Sequence, residues 1–164
     1  MKRVAVYGLL IALAFIFSYV ESLLPVGFFI TPGLKLGLSN IAIVVTLYLL
    51  GIRAAITVSL VRILLVAFTF GNMATFLYSL GGALCSLLVM GILFQTKYFS
   101  IFGVSMAGGV FHNVGQLAVA IAVLKTSSLV YYMPILIFVG ALTGLAIGLL
   151  GAKTLTRLPA QIVR

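Results

Sequence analysis

The segment Leu129–Ala152, LVYYMPILIFVGALTGLAIGLLGA, runs without a single charged side chain. It exceeds the about 20 apolar residues that an α-helix needs to cross about 30 Å of hydrocarbon. Five further apolar segments precede it, separated by turn residues or charges: Val4–Leu24, the shorter Leu36–Leu50, Ala54–Phe70, Met73–Phe94 and Phe99–Leu124. The pattern predicts an all-α integral membrane protein, a bundle of six transmembrane helices that forms one domain over residues 1–164.

The near absence of acidic residues supports this class. Glu21 is the only acidic residue among 164 and there is no Asp, whereas ten Lys and Arg residues give a net charge of +9. With 64% hydrophobic residues and a mean hydropathy of +1.38, the chain has too few charges for the surface of a soluble domain. The missing carboxylates also argue against most hydrolase and Mg²⁺-dependent chemistry, so we expect no enzymatic activity, no metal and no other cofactor.

The positive charges indicate how the bundle is oriented. If the N-terminus is cytoplasmic, two cations face outside, Lys35 and Lys125, and seven face inside: Lys2, Arg3, Arg53, Lys97, Lys153, Arg157 and Arg164. This bias predicts a multi-pass protein of the cell membrane, in contact with lipid and with both termini in the cytoplasm. The cations are scattered rather than clustered with stacking aromatics, which argues against a nucleic-acid partner.

Arg62 lies midway along the third apolar segment and therefore near the middle of the membrane. An arginine that faces lipid there costs about 3 kcal/mol or more, so we expect it to face the bundle interior. It either binds a ligand or has a structural role, bonded to backbone carbonyls or to Glu21.

Three polar residues interrupt the fifth segment near its centre: His112, Asn113 and Gln116. Their spacing of three and four residues places them on one helix face. A single histidine without neighbouring carboxylates or thiols is a poor metal site. The three side chains either line a ligand site or form hydrogen bonds between helices.

Polar side chains are concentrated in the outer halves of the apolar segments, on the side that faces the exterior. Asn40, Tyr78 and Glu21 lie there, below Lys35 in the connection Pro25–Lys35, whereas the inner halves of most segments are nearly pure aliphatic. This asymmetry predicts a cavity open to the exterior, with a cationic lining that suits a small anionic or carboxylate-bearing molecule. The connection itself is either a lid over that cavity or an interfacial turn.

Small residues at helical spacing indicate where helices can approach closely. Gly8 and Ala12 are four residues apart on the first segment, where they could meet a partner helix. A similar series on the sixth segment could equally serve packing within the chain, and its members are Gly140, Gly144, Gly148 and Gly151.

Four stretches resemble the Gx transporter family, whose members are also labelled heptaprenyl diphosphate synthase component I. They are PGLKLGLSNI at 32–41, LVRILL at 60–65, FLYSLGG at 76–82 and FHNVGQL at 111–117. That family is similar to the substrate-binding S components of energy-coupling factor (ECF) importers, six-helix membrane proteins with both ends cytoplasmic. The resemblance implies uptake of a small anionic, vitamin-like or isoprenoid-like substrate, with a transmembrane coupling subunit and ATPase subunits as partners.

The same resemblance assigns roles to individual positions. Partner docking falls on Gly8 and Ala12, and substrate binding falls on Lys35, Asn40, Arg62, Tyr78, His112, Asn113 and Gln116. The synthase label gives an alternative function: a non-catalytic membrane accessory of heptaprenyl diphosphate synthase in isoprenoid or menaquinone biosynthesis, with a soluble synthase subunit as its partner. Prenyl chain elongation needs Asp-rich motifs that hold Mg²⁺, so a chain without Asp is not the catalytic subunit.

Overall fold

The computed structural model describes residues 2–23 and 37–157, and within these ranges all regular secondary structure is helical. A 3-10 helix at Ser127–Tyr132 precedes the last of six α-helices: α1 Lys2–Leu23, α2 Ser39–Leu50, α3 Ile52–Thr69, α4 Met73–Thr96, α5 Ile101–Leu124 and α6 Met133–Arg157. The apolar segments of the sequence thus correspond to helices, with small shifts at their ends.

Five of these helical segments are long and apolar enough to cross a membrane, namely α1, α3, α4, α5 and the 3-10 helix together with α6. The exception is α2, whose 12 residues rise only about 18 Å against about 30 Å of hydrocarbon. The predicted all-helical class is therefore confirmed. The sixth crossing stays a prediction, because residues 24–36, which precede α2 in the chain, lie outside the described residues.

Local sequence signals account for where the helices begin and end. Gly51 links α2 to α3 with a φ of 87°, a conformation that favours glycine. Asn72 caps α4 by accepting from the Thr75 amide at 2.8 Å, and Thr75 Oγ1 accepts from the Asn72 amide in return. Lys97 and Lys125 end α4 and α5 in the left-handed conformation.

The helices form two groups of three. In the first group α1, α2 and α3 pack against one another, and in the second α5 packs between α4 and α6. Contacts of α3 with α4 and of α2 with α6 join the groups. The bundle is therefore a ring of α2 to α6, with α1 packed against α2 and α3.

One end of the bundle holds the apolar core, and we call it the apolar end. Many of its residues come from α2, between Ala42 and Leu47. Most of the others come from the first halves of α1, α3 and α5 and from the second halves of α4 and α6, for example Leu10, Ala55 and Met90. Successive helices therefore run in opposite directions, and the start of α1 and the end of α6 lie at the apolar end. We call the opposite end the polar end.

Glycines bring α5 into backbone contact with both of its neighbours. A Cβ atom on Gly109 would lie 2.3 Å from the carbonyl oxygen of Gly140 on α6. On the other side, a Cβ atom on Gly115 would lie 2.5 Å from the carbonyl oxygen of Gly81 on α4. Gly144 also faces α5 backbone, so the suggestion that the α6 glycines serve packing within the chain is confirmed.

The orientation in the membrane can be tested by cysteine labelling. Tyr98 and Tyr131 are highly exposed and lie in the connections at opposite ends of α5. In a Cys85→Ser background, we expect a membrane-impermeant maleimide to label Tyr131→Cys in intact cells and Tyr98→Cys only after permeabilisation. Labelling of Tyr98→Cys in intact cells would invert the orientation.

Candidate ligand site at the polar end

Arg62 is the most deeply buried charged side chain in the described part of the chain, with 5% of its surface exposed. Its Nη1 atom donates to Ser39 Oγ on α2 at 2.9 Å and to Ser18 Oγ on α1 at 3.3 Å. The guanidinium thereby joins all three helices of the first group. The prediction that Arg62 faces the bundle interior is confirmed.

These bonds also show how deep α2 begins. Ser39 is the first residue of α2, whereas α3 continues for seven residues beyond Arg62. At 1.5 Å per residue, α3 therefore continues for about 10 Å beyond Arg62, whose guanidinium reaches the first residue of α2. The first residue of α2 therefore lies at the depth of the Arg62 guanidinium.

Glu21 is buried next to this arginine, with 8% of its surface exposed. Its Oε1 atom accepts from the Gly37 amide, and its carboxylate interacts electrostatically with Arg62. Gly37 has a φ of 77°, and its carbonyl oxygen accepts from the Asn40 amide at 2.8 Å. The only carboxylate side chain of the protein thus fastens the start of α2 to α1.

One donor of the guanidinium is left over. Arg62 Nε is buried and has no hydrogen-bond partner among residues 2–23 and 37–157. A buried N–H group without a partner costs about 1–3 kcal/mol. A bound acceptor from a ligand or from water would remove that cost.

The polar residues of α5 lie in the second helix group and contact two different neighbours. His112 Cε1 and Gln116 Cγ would lie 2.9 and 2.8 Å from a Cβ atom on Gly82, so both side chains cover this glycine of α4. Asn113 Nδ2 instead donates to the Leu136 carbonyl oxygen of α6 at 2.9 Å. For Asn113 the structure therefore shows the interhelical bond that was one of its two expected roles.

The family model for heptaprenyl diphosphate synthase component I matches residues 10–154. This range includes Arg62 with its partners and the polar residues of α5. The chain belongs to this family. No curated protein and no solved structure matches the chain. The component I name implies a partner subunit, and the matched range includes Ala12 but not Gly8.

The remaining candidate residues take different positions. Asn40 is half-buried at the second position of α2, beside Gly37, and Tyr78 is half-buried in the first third of α4. Lys35 lies outside the described residues. Gly8 and Ala12 are exposed on α1. That one ligand contacts Arg62 together with the α5 residues stays a prediction.

Two residues of the Arg62 environment were not singled out from the sequence. The sequence did not indicate that Ser39 accepts the shorter of the two hydrogen bonds donated by Arg62. It also did not indicate that the Gly37 amide donates to Glu21. The available signal was that both residues stand shortly before the apolar run that begins at Ile41, where Ser and Gly are favoured as helix caps. In the described ranges, no group of three or more His, Cys, Asp or Glu side chains is placed to hold a metal ion.

Proposed function

We propose that this component I protein is the substrate-binding membrane subunit of an ECF-type importer in the cell membrane, and that it takes up a small anionic, vitamin-like or isoprenoid-like molecule. The observation that carries the proposal is the buried Arg62 guanidinium with an unused Nε donor at the level where α2 begins. A cation at this depth is costly, and such residues generally serve a ligand or transport pathway.

The division of the bundle into two ends supports binding from one side. The apolar end is filled by packed aliphatic side chains, whereas Arg62 and Glu21 lie toward the polar end. A ligand that enters at the polar end would meet the charged groups and stop at the packed core. This one-sided access suits a subunit that captures a substrate and hands it to a transport partner.

The exposed face of α1 supports docking on a membrane partner. A Cβ atom on Gly8 would have no heavy atom of the described residues within 4 Å, and Ala12 is exposed on the same helix. Small residues that face lipid allow a second helix to approach closely. We propose that a transmembrane coupling subunit contacts α1 here and that two ATPases energise the complex.

The family name favours a second candidate, a non-catalytic membrane accessory of heptaprenyl diphosphate synthase. In that role the polar end would hold part of an isoprenoid substrate or product, and the catalytic Asp-rich motifs would reside on a soluble partner. The absence of Asp from the whole sequence supports a non-catalytic subunit under either proposal.

Affinity purification from native membranes separates the two candidates. We expect the importer subunit to copurify with a multi-pass membrane protein and two ATPases, identified by mass spectrometry. Recovery of a soluble prenyl diphosphate synthase in place of the ATPases would overturn the importer proposal in favour of the accessory role.

Substitutions on α1 test the docking surface within the same experiment. We expect Gly8→Leu and Ala12→Leu to reduce the recovered membrane partner several-fold, because added bulk prevents close helix approach. Ala118→Leu is the matched control, since Ala118 is an exposed small residue of α5. Equal recovery with all three variants would contradict docking through this face of α1.

A further inference from the structure

We infer that Arg62 binds a carboxylate group of the substrate side-on, through the edge that carries Nε, and that the site favours a single carboxylate over a phosphate or diphosphate. This inference rests on the proposed function in one respect, since it takes Arg62 as a ligand-binding residue. It adds the chemical class of the group that Arg62 recognises.

The hydrogen bonds of Arg62 leave one edge of the guanidinium for a ligand. Nη1 carries two N–H groups, and the structure gives it two acceptors, Ser39 Oγ and Ser18 Oγ. An end-on contact through Nη1 and Nη2 would have to displace these hydroxyls. Nε is buried without an acceptor among residues 2–23 and 37–157, so the edge that remains for a ligand is the one with Nε, which by the covalent structure of arginine also carries one N–H of Nη2.

The geometry of that edge suits a planar acceptor. Two parallel N–H groups match the two oxygen atoms of a carboxylate, and this bidentate contact combines charge with orientation. A guanidinium held by two serines from two helices is already oriented, so the bound ligand orders little additional structure.

The charge balance of the site argues against a multiply charged group. Glu21 is buried and interacts electrostatically with Arg62, so a ligand that contacts Arg62 also meets a neighbouring carboxylate. A carboxylate adds one negative charge, whereas a phosphate monoester adds about two near neutral pH. A diphosphate adds more still, and each further charge would be repelled by the Glu21 carboxylate in a poorly solvated position.

The test compares simple anions on the purified full chain in mild detergent. Benzoate, inorganic phosphate and inorganic pyrophosphate are added at tens of millimolar, with ionic strength held constant by chloride. The midpoint of thermal unfolding is measured for the wild type, Arg62→Gln, Arg62→Lys and the exposed-site control Arg53→Gln. We expect benzoate to raise the midpoint of the wild type and of Arg53→Gln by about 2–4 °C.

Both Arg62 variants should lose that shift, because neither glutamine nor lysine offers the planar fork. Arg62→Lys keeps the charge and serves if Arg62→Gln fails to fold. Phosphate or pyrophosphate shifts that exceed the benzoate shift and depend on Arg62 would overturn the carboxylate inference while leaving Arg62 as a ligand residue. Absence of any Arg62-dependent shift would overturn the site itself, and with it the observation behind the proposed function.

Discussion

Replacing Gly109 with alanine is expected to lower the midpoint of thermal unfolding by several degrees. The added methyl carbon would lie 2.3 Å from the Gly140 carbonyl oxygen and 3.1 Å from Gly144 Cα, both backbone atoms of α6 that cannot swing aside. Overpacking of this kind costs about 1–3 kcal/mol. The better helix propensity of alanine returns about 1 kcal/mol at most. We therefore expect α5 and α6 to separate locally.

The same substitution at Gly8 provides the control, because that position faces open space with respect to the described residues. Gly8→Ala should leave the midpoint unchanged or raise it slightly through helix propensity. Thermal unfolding of the two variants in one detergent gives the comparison. A Gly109→Ala midpoint equal to that of Gly8→Ala would mean that the crossing of α5 and α6 widens without cost.

Replacing Arg62 with glutamine is expected to have the largest effect on ligand binding. If the guanidinium contacts a buried charge of the substrate, its loss should weaken binding by about 2–5 kcal/mol. Native mass spectrometry of the purified protein would show this as loss of the small molecule that the wild type retains. Arg53→Gln removes a cation from the exposed start of the same helix and should leave retention intact.

A second substitution separates the folding role of Arg62 from its ligand role. Arg62→Gln removes a positive charge that acts on the buried Glu21 carboxylate, and we expect the loss to lower the thermal stability of the chain. We expect Glu21→Gln in the same chain to recover part of the thermal stability but none of the ligand retention. Full retention by the stable double variant would reduce Arg62 to a structural cation.

Helix placement could be predicted from the sequence because each signal was local. Gly71-Asn72 and Lys125 ended apolar runs, and the structure places a helix boundary beside each. Arg62 could be assigned to the interior because a lipid-facing guanidinium is so costly. A short second helix was predicted from Leu36–Leu50, but its start at Ser39 was not, because the break before it depends on Gly37 and on the contact of that residue with Glu21.

The polar contacts depended on tertiary structure in a way that spacing cannot show. Arg62 and Ser39 are 23 residues apart in the chain, and Glu21 and Gly37 are 16 apart. His112, Asn113 and Gln116 share a helix face by spacing, but their actual contacts are decided by which helices flank α5. The glycines of α4 and α6 allow α5 to pack closely between these two helices. The sequence does not show which helix each glycine contacts.

The late start of α2 has an electrostatic consequence of its own. The peptide dipoles of a helix add up to roughly half a positive charge at its N-terminus. Because the first residue of α2 accepts a bond from the buried Arg62 guanidinium, this partial charge is placed inside the bundle, beside that guanidinium. The Glu21 carboxylate therefore interacts with two sources of positive potential, the Arg62 side chain and the N-terminus of α2. The potential that an incoming anion meets is set by the place where a helix begins as much as by the side chains around it.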